Sequence, residues 1–178
     1  MITGINHITL SVCDLEKSFA FYTDILGCKA IAKWQRGAYL LADNIWLCLS
    51  LDPQTSTSPL QEYSHIAFSV PEDKFQEYSD RLINLGVKQW KTNTSEGDSM
   101  YILDPDNHKL ELHVGDLQSR LAATKKAPYE GMEFFDKNCN LTPKYDTYLN
   151  ANDRMVLFLY LAPLPSTRKS KPKNLIIS

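Results

Sequence analysis

Two histidines in this chain sit in nearly the same phrase. His7-Ile-Thr-Leu-Ser-Val near the start is echoed by His65-Ile-Ala-Phe-Ser-Val, fifty-eight residues on. Both runs suit short strands, in which alternate side chains share a face, so His7 and Thr9 point one way and His65 and Ala67 do the same. A third residue of interest is Glu111, in the centre of Lys109-Leu-Glu-Leu-His-Val. A carboxylate flanked by leucines on a strand is costly unless something pairs with it. A His-His-carboxylate set on β-structure binds Mn, Fe, Co, Ni or Zn and leaves positions open for water or substrate. Either histidine alone is more often a satisfied core residue, and a lone Glu111 is more often a surface glutamate. The repeat positions together with the closing glutamate favour the metal. His108, in a turn, and His113, two residues beyond Glu111, read first as structural.

A second group is cationic and hydroxylic: Lys91, Ser95, Ser99, Tyr101 and Arg120. Fixed cations with several hydroxyl donors suit a phosphate- or phosphonate-bearing ligand. Loops are rich in Ser and Lys in any case, so composition alone carries this only a short way. The loop Asn93-Thr-Ser-Glu-Gly97 has a shape open to holding a monovalent cation by its carbonyls, which spacing does not decide.

The elements that must position these residues repeat as well. The first module predicts a strand at Ile5–Val12, a helix at Leu15–Leu26 capped by Asp14 and stopped by Gly27, and strands at Cys28–Trp34, Ala38–Leu41 and Ile45–Leu49. The second predicts a strand at His65–Val70, a helix from Glu72 to Leu85, and strands at Val87–Trp90, Met100–Leu103 and Lys109–Val114. The last two are joined by the turn sequence Asp104-Pro-Asp-Asn-His108. A terminal helix spans Asp116 to about Thr124. The order is βαβββ twice, an α+β domain of two paired modules at about 1–52 and 63–126, within residues 1–135. The linker Asp52–Glu62 has turn composition. Residues 136–178 lack the repeat and read as a basic, largely disordered extension.

Bulk properties exclude more than they assign. The chain has 178 residues, 43% hydrophobic and 22% charged, with a formal net charge of −2. Residues 1–135 carry 12 Lys+Arg against 18 Asp+Glu, and the extension 7 against 3. Nothing here calls for nucleic acid. No signal segment or membrane-spanning run is expected, and four scattered cysteines suit a reduced, cytoplasmic protein.

The repeat with His7, His65 and Glu111 resembles the vicinal-oxygen-chelate (glyoxalase/bleomycin-resistance) superfamily. Within it the chain is similar to the fosfomycin-resistance glutathione transferases of the FosA type. The stretches that carry the resemblance are Gly4-Ile-Asn-His-Ile-Thr-Leu, Gly37-Ala-Tyr-Leu, Trp46-Leu-Cys-Leu-Ser, Ser95-Glu-Gly-Asp-Ser, Tyr101-Ile-Leu-Asp-Pro-Asp, His108-Lys-Leu-Glu-Leu-His-Val-Gly-Asp-Leu and Ala127-Pro-Tyr-Glu-Gly-Met. The resemblance implies Mn²⁺-dependent, K⁺-stimulated addition of the glutathione thiol to the epoxide of fosfomycin, in transferase class EC 2.5.1. It implies one Mn²⁺ per site on His7, His65 and Glu111. Thr9, Lys91, Ser95, Ser99, Tyr101 and Arg120 then hold the phosphonate and epoxide. Trp34, Tyr39, Trp46 and Ser50 line the thiol channel, with Tyr39 assisting thiol ionisation and Thr9 counted beside it as catalytic. Asn93, Ser95, Gly97 and His108 are implied for K⁺. The family forms a domain-swapped homodimer in which His7 of one chain meets His65 and Glu111 of the other. The chain departs from the pattern at Thr94, where relatives often carry Arg.

Three other readings compete. The same fold opens epoxides with water, cysteine or bacillithiol in place of glutathione. It also supports ring-cleaving dioxygenases, which have no use for an anion clamp at Lys91 and Arg120. A non-enzymatic drug-sequestering protein would need no metal ligands.

Overall fold

The computed structural model describes residues 1–94 and 96–135. The expectations for Ser95 and for the extension 136–178 lie outside the described residues. The chain divides into two units, Met1–Met132 and Glu133–Ser178, and the first contains both modules.

Both modules form as the sequence predicts. Strands β1 (His7–Val12), β2 (Lys29–Trp34), β3 (Gly37–Ala42) and β4 (Ile45–Leu51) make one sheet, in the order β1-β4-β3-β2. Strands β5 (Ile66–Ser69), β6 (Gln89–Lys91), β7 (Ser99–Leu103) and β8 (Lys109–His113) make the other, in the order β5-β8-β7-β6. In each sheet the first strand runs parallel to the fourth and the remaining pairs are antiparallel. A parallel neighbour needs a long crossover, and each module's helix belongs to it.

The helices are α1 (Leu15–Ala20), α2 (Glu72–Asn84) and α3 (Leu117–Lys126). Asp14 caps α1 by accepting from the Lys17 amide, as its position predicts. Asp116 and Ser119 cap α3 reciprocally. The first helix widens into a π-helical turn at Phe21–Ile25, which the sequence did not indicate. Thr23 Oγ1 donates to the Phe19 carbonyl at 2.9 Å within this turn. The Leu26 amide reaches back to Phe21 O, and Gly27, at φ +79°, turns the chain out.

One core joins the modules. Leu10, Val12, Leu40, Leu47 and Leu49 from the first pack in a cluster with Leu82, Met100, Ile102, Leu110 and Leu112 from the second. Leu40, Leu47, Leu82, Ile102 and Leu110 are fully enclosed, and each such side chain contributes about 1.5–3 kcal/mol relative to exposure. Polar bonds lock the same junction. The Tyr22 hydroxyl donates to Asp104 Oδ2 at 2.7 Å, and Ser18 Oγ donates to Asp106 Oδ2 at 2.7 Å. The Cys13 amide donates to Asp106 Oδ1 at 2.8 Å, and Arg81 donates to the Ile25 carbonyl at 2.9 Å. The turn 104–108 is therefore a plug as well as a turn, seated against the first module's helix. Among the described residues no helix is long and apolar enough to cross a membrane.

Candidate metal and anion site

The second sheet gathers most of the expected chemistry. Register sets Ala67 and Tyr101 on either side of Glu111, with Ser99 opposite His113. His65, one residue before β5, brings Nε2 to 2.8 Å from Glu111 Oε2. Its Nδ1 faces the Tyr63 carbonyl at 3.0 Å. A carbonyl can only accept, so Nδ1 carries the ring proton and the lone pair of the neutral ring is at Nε2. That lone pair meets a carboxylate, so both ring nitrogens face acceptors. A neutral imidazole cannot donate to both, and either a second ring proton or a divalent cation at Nε2 satisfies the pair. The donor set thus fits a divalent metal.

Glu111 is buried, with 6% of its surface exposed. Ser99 Oγ donates to Oε1 at 2.7 Å, and His113 Nδ1 lies 2.7 Å from the same hydroxyl. A serine has one proton to give, so His113 donates to Ser99 and Ser99 to Glu111. Burial alone would push the Glu111 carboxyl up. The Ser99 hydrogen bond, with the neighbouring His65 and Tyr101, outweighs this and holds it below the usual value.

His7 is elsewhere in the chain. It is exposed on β1, in register with Trp46 on β4, with ring centroids 4.7 Å apart. Its Nδ1 is 2.8 Å from Asn6 Oδ1, which leaves Nε2 available. Among the described residues no three His, Cys, Asp or Glu side chains form a metal set. The expected triad is therefore divided within one chain, two members on the second sheet and one on the first.

The face that carries His7 also carries the residues expected to line a thiol channel. Trp34, Tyr39 and Trp46 make an edge-to-face row, 4.8 Å and then 5.1 Å between centroids, ending at His7. The row takes one residue from each of β2, β3, β4 and β1 in spatial order. Gly37 permits it, because a Cβ there would fall 2.6 Å from the Trp34 indole. Thr9 and Ser50 are exposed near the row, Thr9 opposite Cys48 and Ser50 opposite Gly37.

Of the two expected anion-binding cations, Lys91 is close to Glu111's neighbours. Its ammonium donates to the Tyr63 hydroxyl at 2.5 Å and lies 4.6 Å from the ring centroids of both Tyr63 and Tyr101. The Tyr63 hydrogen bond pushes the Lys91 pKa up and keeps the side chain cationic. Arg120 is engaged differently, Nη1 to Glu96 Oε1 at 2.9 Å, so an anionic ligand at Arg120 must compete with a carboxylate.

The potassium expectation divides. Asn93 and Gly97 close one loop, with Asn93 Nδ2 donating to the Gly97 carbonyl at 2.9 Å, and Gly97 has φ +77°. His108 is not brought to this loop. It belongs to the opposite end of the β7–β8 hairpin, where Nδ1 bonds Asp104 Oδ2 at 2.8 Å. The histidine beside the loop is His113, whose Cε1 lies 3.5 Å from where a Gly97 Cβ would be. Tyr63 and Trp90 were missed altogether. Trp90 packs at 6.0 Å from the His65 ring and 5.3 Å from Tyr101, centroid to centroid. Aromatic residues two before and one before expected ligands were the available signal.

The model of the Glyoxalase/Bleomycin resistance protein/Dioxygenase superfamily matches residues 4–112. The chain is 51% identical over 136 residues to glutathione transferase FosA of Serratia marcescens, covering 75% of this chain and 96% of that protein. It is 39% identical over 139 residues to metallothiol transferase FosB of Lysinibacillus sphaericus, covering 76% and 98%. Among solved structures, the fosfomycin resistance protein FosX of Listeria monocytogenes matches with a TM-score of 0.62 at 35% identity, over 68% of this chain and 98% of that one. The same Listeria protein has been solved with Mn(II) and sulfate, and a mutant of it with Mn(II) and 1S,2S-dihydroxypropylphosphonic acid.

Proposed function

The chain belongs to the Glyoxalase/Bleomycin resistance protein/Dioxygenase superfamily, and from that membership we propose that it inactivates fosfomycin by adding glutathione to the epoxide. The observation that carries the reading is the His65–Glu111 pair, its imidazole facing two acceptors, with the Lys91 ammonium held nearby. The pair provides ligands and Lys91 provides a site for a phosphonate. The 51% identity to a glutathione transferase supports glutathione as the thiol.

His65 and Glu111 hold the metal, with His7 as third ligand; Mn²⁺ is the ion we favour, since a related protein was crystallised with it. His7 belongs to the other sheet, so a swapped homodimer, in which it comes from the second chain, completes the set. A divalent metal there supplies Lewis acidity toward the oxirane oxygen. Lys91, Tyr101 and Arg120, with Ser95, grip the phosphonate and fix the epoxide for in-line attack, and Ser99, whose proton is given to Glu111, joins them only by exchanging that bond. Trp34, Trp46 and Ser50 guide the thiol, and Tyr39 takes part in its ionisation. Thr9, on the His7 face, donates a hydrogen bond to the substrate. The glutathione sulfur forms a bond to an epoxide carbon, that carbon's bond to oxygen breaks, and the resulting alkoxide is protonated. The Asn93–Gly97 loop holds K⁺. The setting is the cytoplasm, where glutathione is plentiful and cysteines stay reduced.

A second reading has water as nucleophile, favoured by a dihydroxypropylphosphonic acid in a related protein's site. One experiment separates the two. The Mn²⁺-loaded protein, incubated with fosfomycin and glutathione, cysteine or neither, is read by mass spectrometry. The expected product is the glutathione adduct. A diol formed at equal rate without thiol would overturn the thiol reading, and unchanged fosfomycin in every arm would overturn both.

A further inference from the structure

We infer that Tyr63 is a positioning residue that couples the metal ligand His65 to the anion-binding Lys91; this rests on the fosfomycin reading above. Tyr63 lies at the end of the linker and belongs to no strand or helix, yet three of its groups are committed to the site. Its carbonyl accepts a hydrogen bond from His65 Nδ1 at 3.0 Å, which turns Nε2 toward Glu111 as the ligating nitrogen. Its hydroxyl accepts from Lys91 Nζ at 2.5 Å. Its ring lies 4.6 Å from the Lys91 ammonium and 5.1 Å from the His65 ring, centroid to centroid.

Lysine is a compact charge on a long, flexible stem, and ordering such a chain at the moment of binding weakens the complex. Here the ordering is already complete. The ammonium lies 4.6 Å from the ring centroids of both Tyr63 and Tyr101, within reach of attraction to each, and the Tyr63 hydroxyl holds it at the hydroxyl end of that ring. The ammonium keeps further N–H donors for an incoming phosphonate. Tyr63 is 56% exposed, so burial of its own ring does not explain these contacts.

Such a role falls on substrate binding and acts through Lys91. In the Mn²⁺-loaded, full-length protein, Tyr63→Phe removes the hydroxyl and keeps ring and carbonyl. We expect KM for fosfomycin to rise by roughly three- to tenfold with kcat within about twofold, the size of one hydrogen bond to a charged group. Mn²⁺ affinity, read by electron paramagnetic resonance, stays at the wild-type value. The deciding measurement is a double-mutant cycle on the fosfomycin dissociation constant by calorimetry, with Lys91→Gln as the second change. In the Lys91→Gln background, Tyr63→Phe is expected to change nothing further. A wild-type KM in Tyr63→Phe, or the same fold-change with and without Lys91, overturns the inference. Tyr63→Leu, which also removes the ring face, should weaken binding more than Tyr63→Phe, and equal effects overturn the part given to the ring. If the wild-type protein itself fails to bind fosfomycin, the proposed function fails, and the inference with it.

Discussion

Cys48 and Glu111 hold the same place in the two modules. Glu111 is in register with Ala67 on the first strand of its sheet and Tyr101 on the third; Cys48 is in register with Thr9 and Tyr39. The repeat that supplies His65 with a carboxylate supplies His7 with a thiol on a much shorter side chain. Cys48 is 7% exposed and shares with Trp46, two residues before it, one face of β4.

Cys48→Ala is therefore expected to keep adduct formation and to lower stability by about 1 kcal/mol. Cys48→Glu should bind Mn²⁺ more tightly and turn over more slowly, because a carboxylate there competes with substrate for the open position. A metal titration beside an adduct assay reads both, and a Cys48→Ala protein without activity would show that the thiol takes part in the chemistry.

The Ser99 hydroxyl holds Glu111, the proposed ligand, by a hydrogen bond to Oε1. Removing such a partner typically costs about 10–100-fold in metal affinity. Ser99→Ala should fall in that range with an unchanged far-UV spectrum, and His65→Ala or Glu111→Ala should retain still less Mn²⁺. Equilibrium dialysis measures the series, and wild-type affinity in Ser99→Ala would refute the relay from His113.

Tyr22 donates its proton to the buried Asp104, so Tyr22→Phe leaves that carboxylate one donor short. The expected loss is about 1–3 kcal/mol. Urea unfolding should still show one transition, because the core is shared. Two separated transitions would mean that the modules unfold independently.

His108 gives stability a pH dependence. Its hydrogen bond with Asp104, opposed by partial burial, raises its pKa above the ordinary 6.5. The folded state therefore favours the proton. The contribution is complete below 6.5 and is lost as pH climbs through the raised folded value. The stability gap between wild type and His108→Gln should be wider at about pH 5.5 than at about pH 9 in urea titrations. A gap that widens toward alkaline pH would contradict this assignment.

Much of this was legible in the residues. The doubled His-Ile phrase located both first strands, and alternation around Glu111 put it in phase with His65. Asp14 and Asp116 announced their helices because a cap is a local event. The rest depends on distant partners. The π turn at Phe21–Ile25 is a widening by one residue that the apolar periodicity of the helix does not carry. His108 and His113 differ only in which end of a hairpin they occupy, and strand register decides which one meets the Asn93–Gly97 loop. Tyr63 hides in linker-like sequence, and only the folded course of β6 brings Lys91 to it.

The plug formed by residues 104–108 has a last consequence. Hydrogen bonds from Tyr22, Ser18, Cys13 and Arg81 cross between the modules independently of the peptide that connects them. The connection between Leu51 and Ile66 is thus not what keeps the halves together. A protease cut in it is expected to leave two fragments that still recognise one another, and a gene divided there into separately encoded halves would report on their encounter by their reunion.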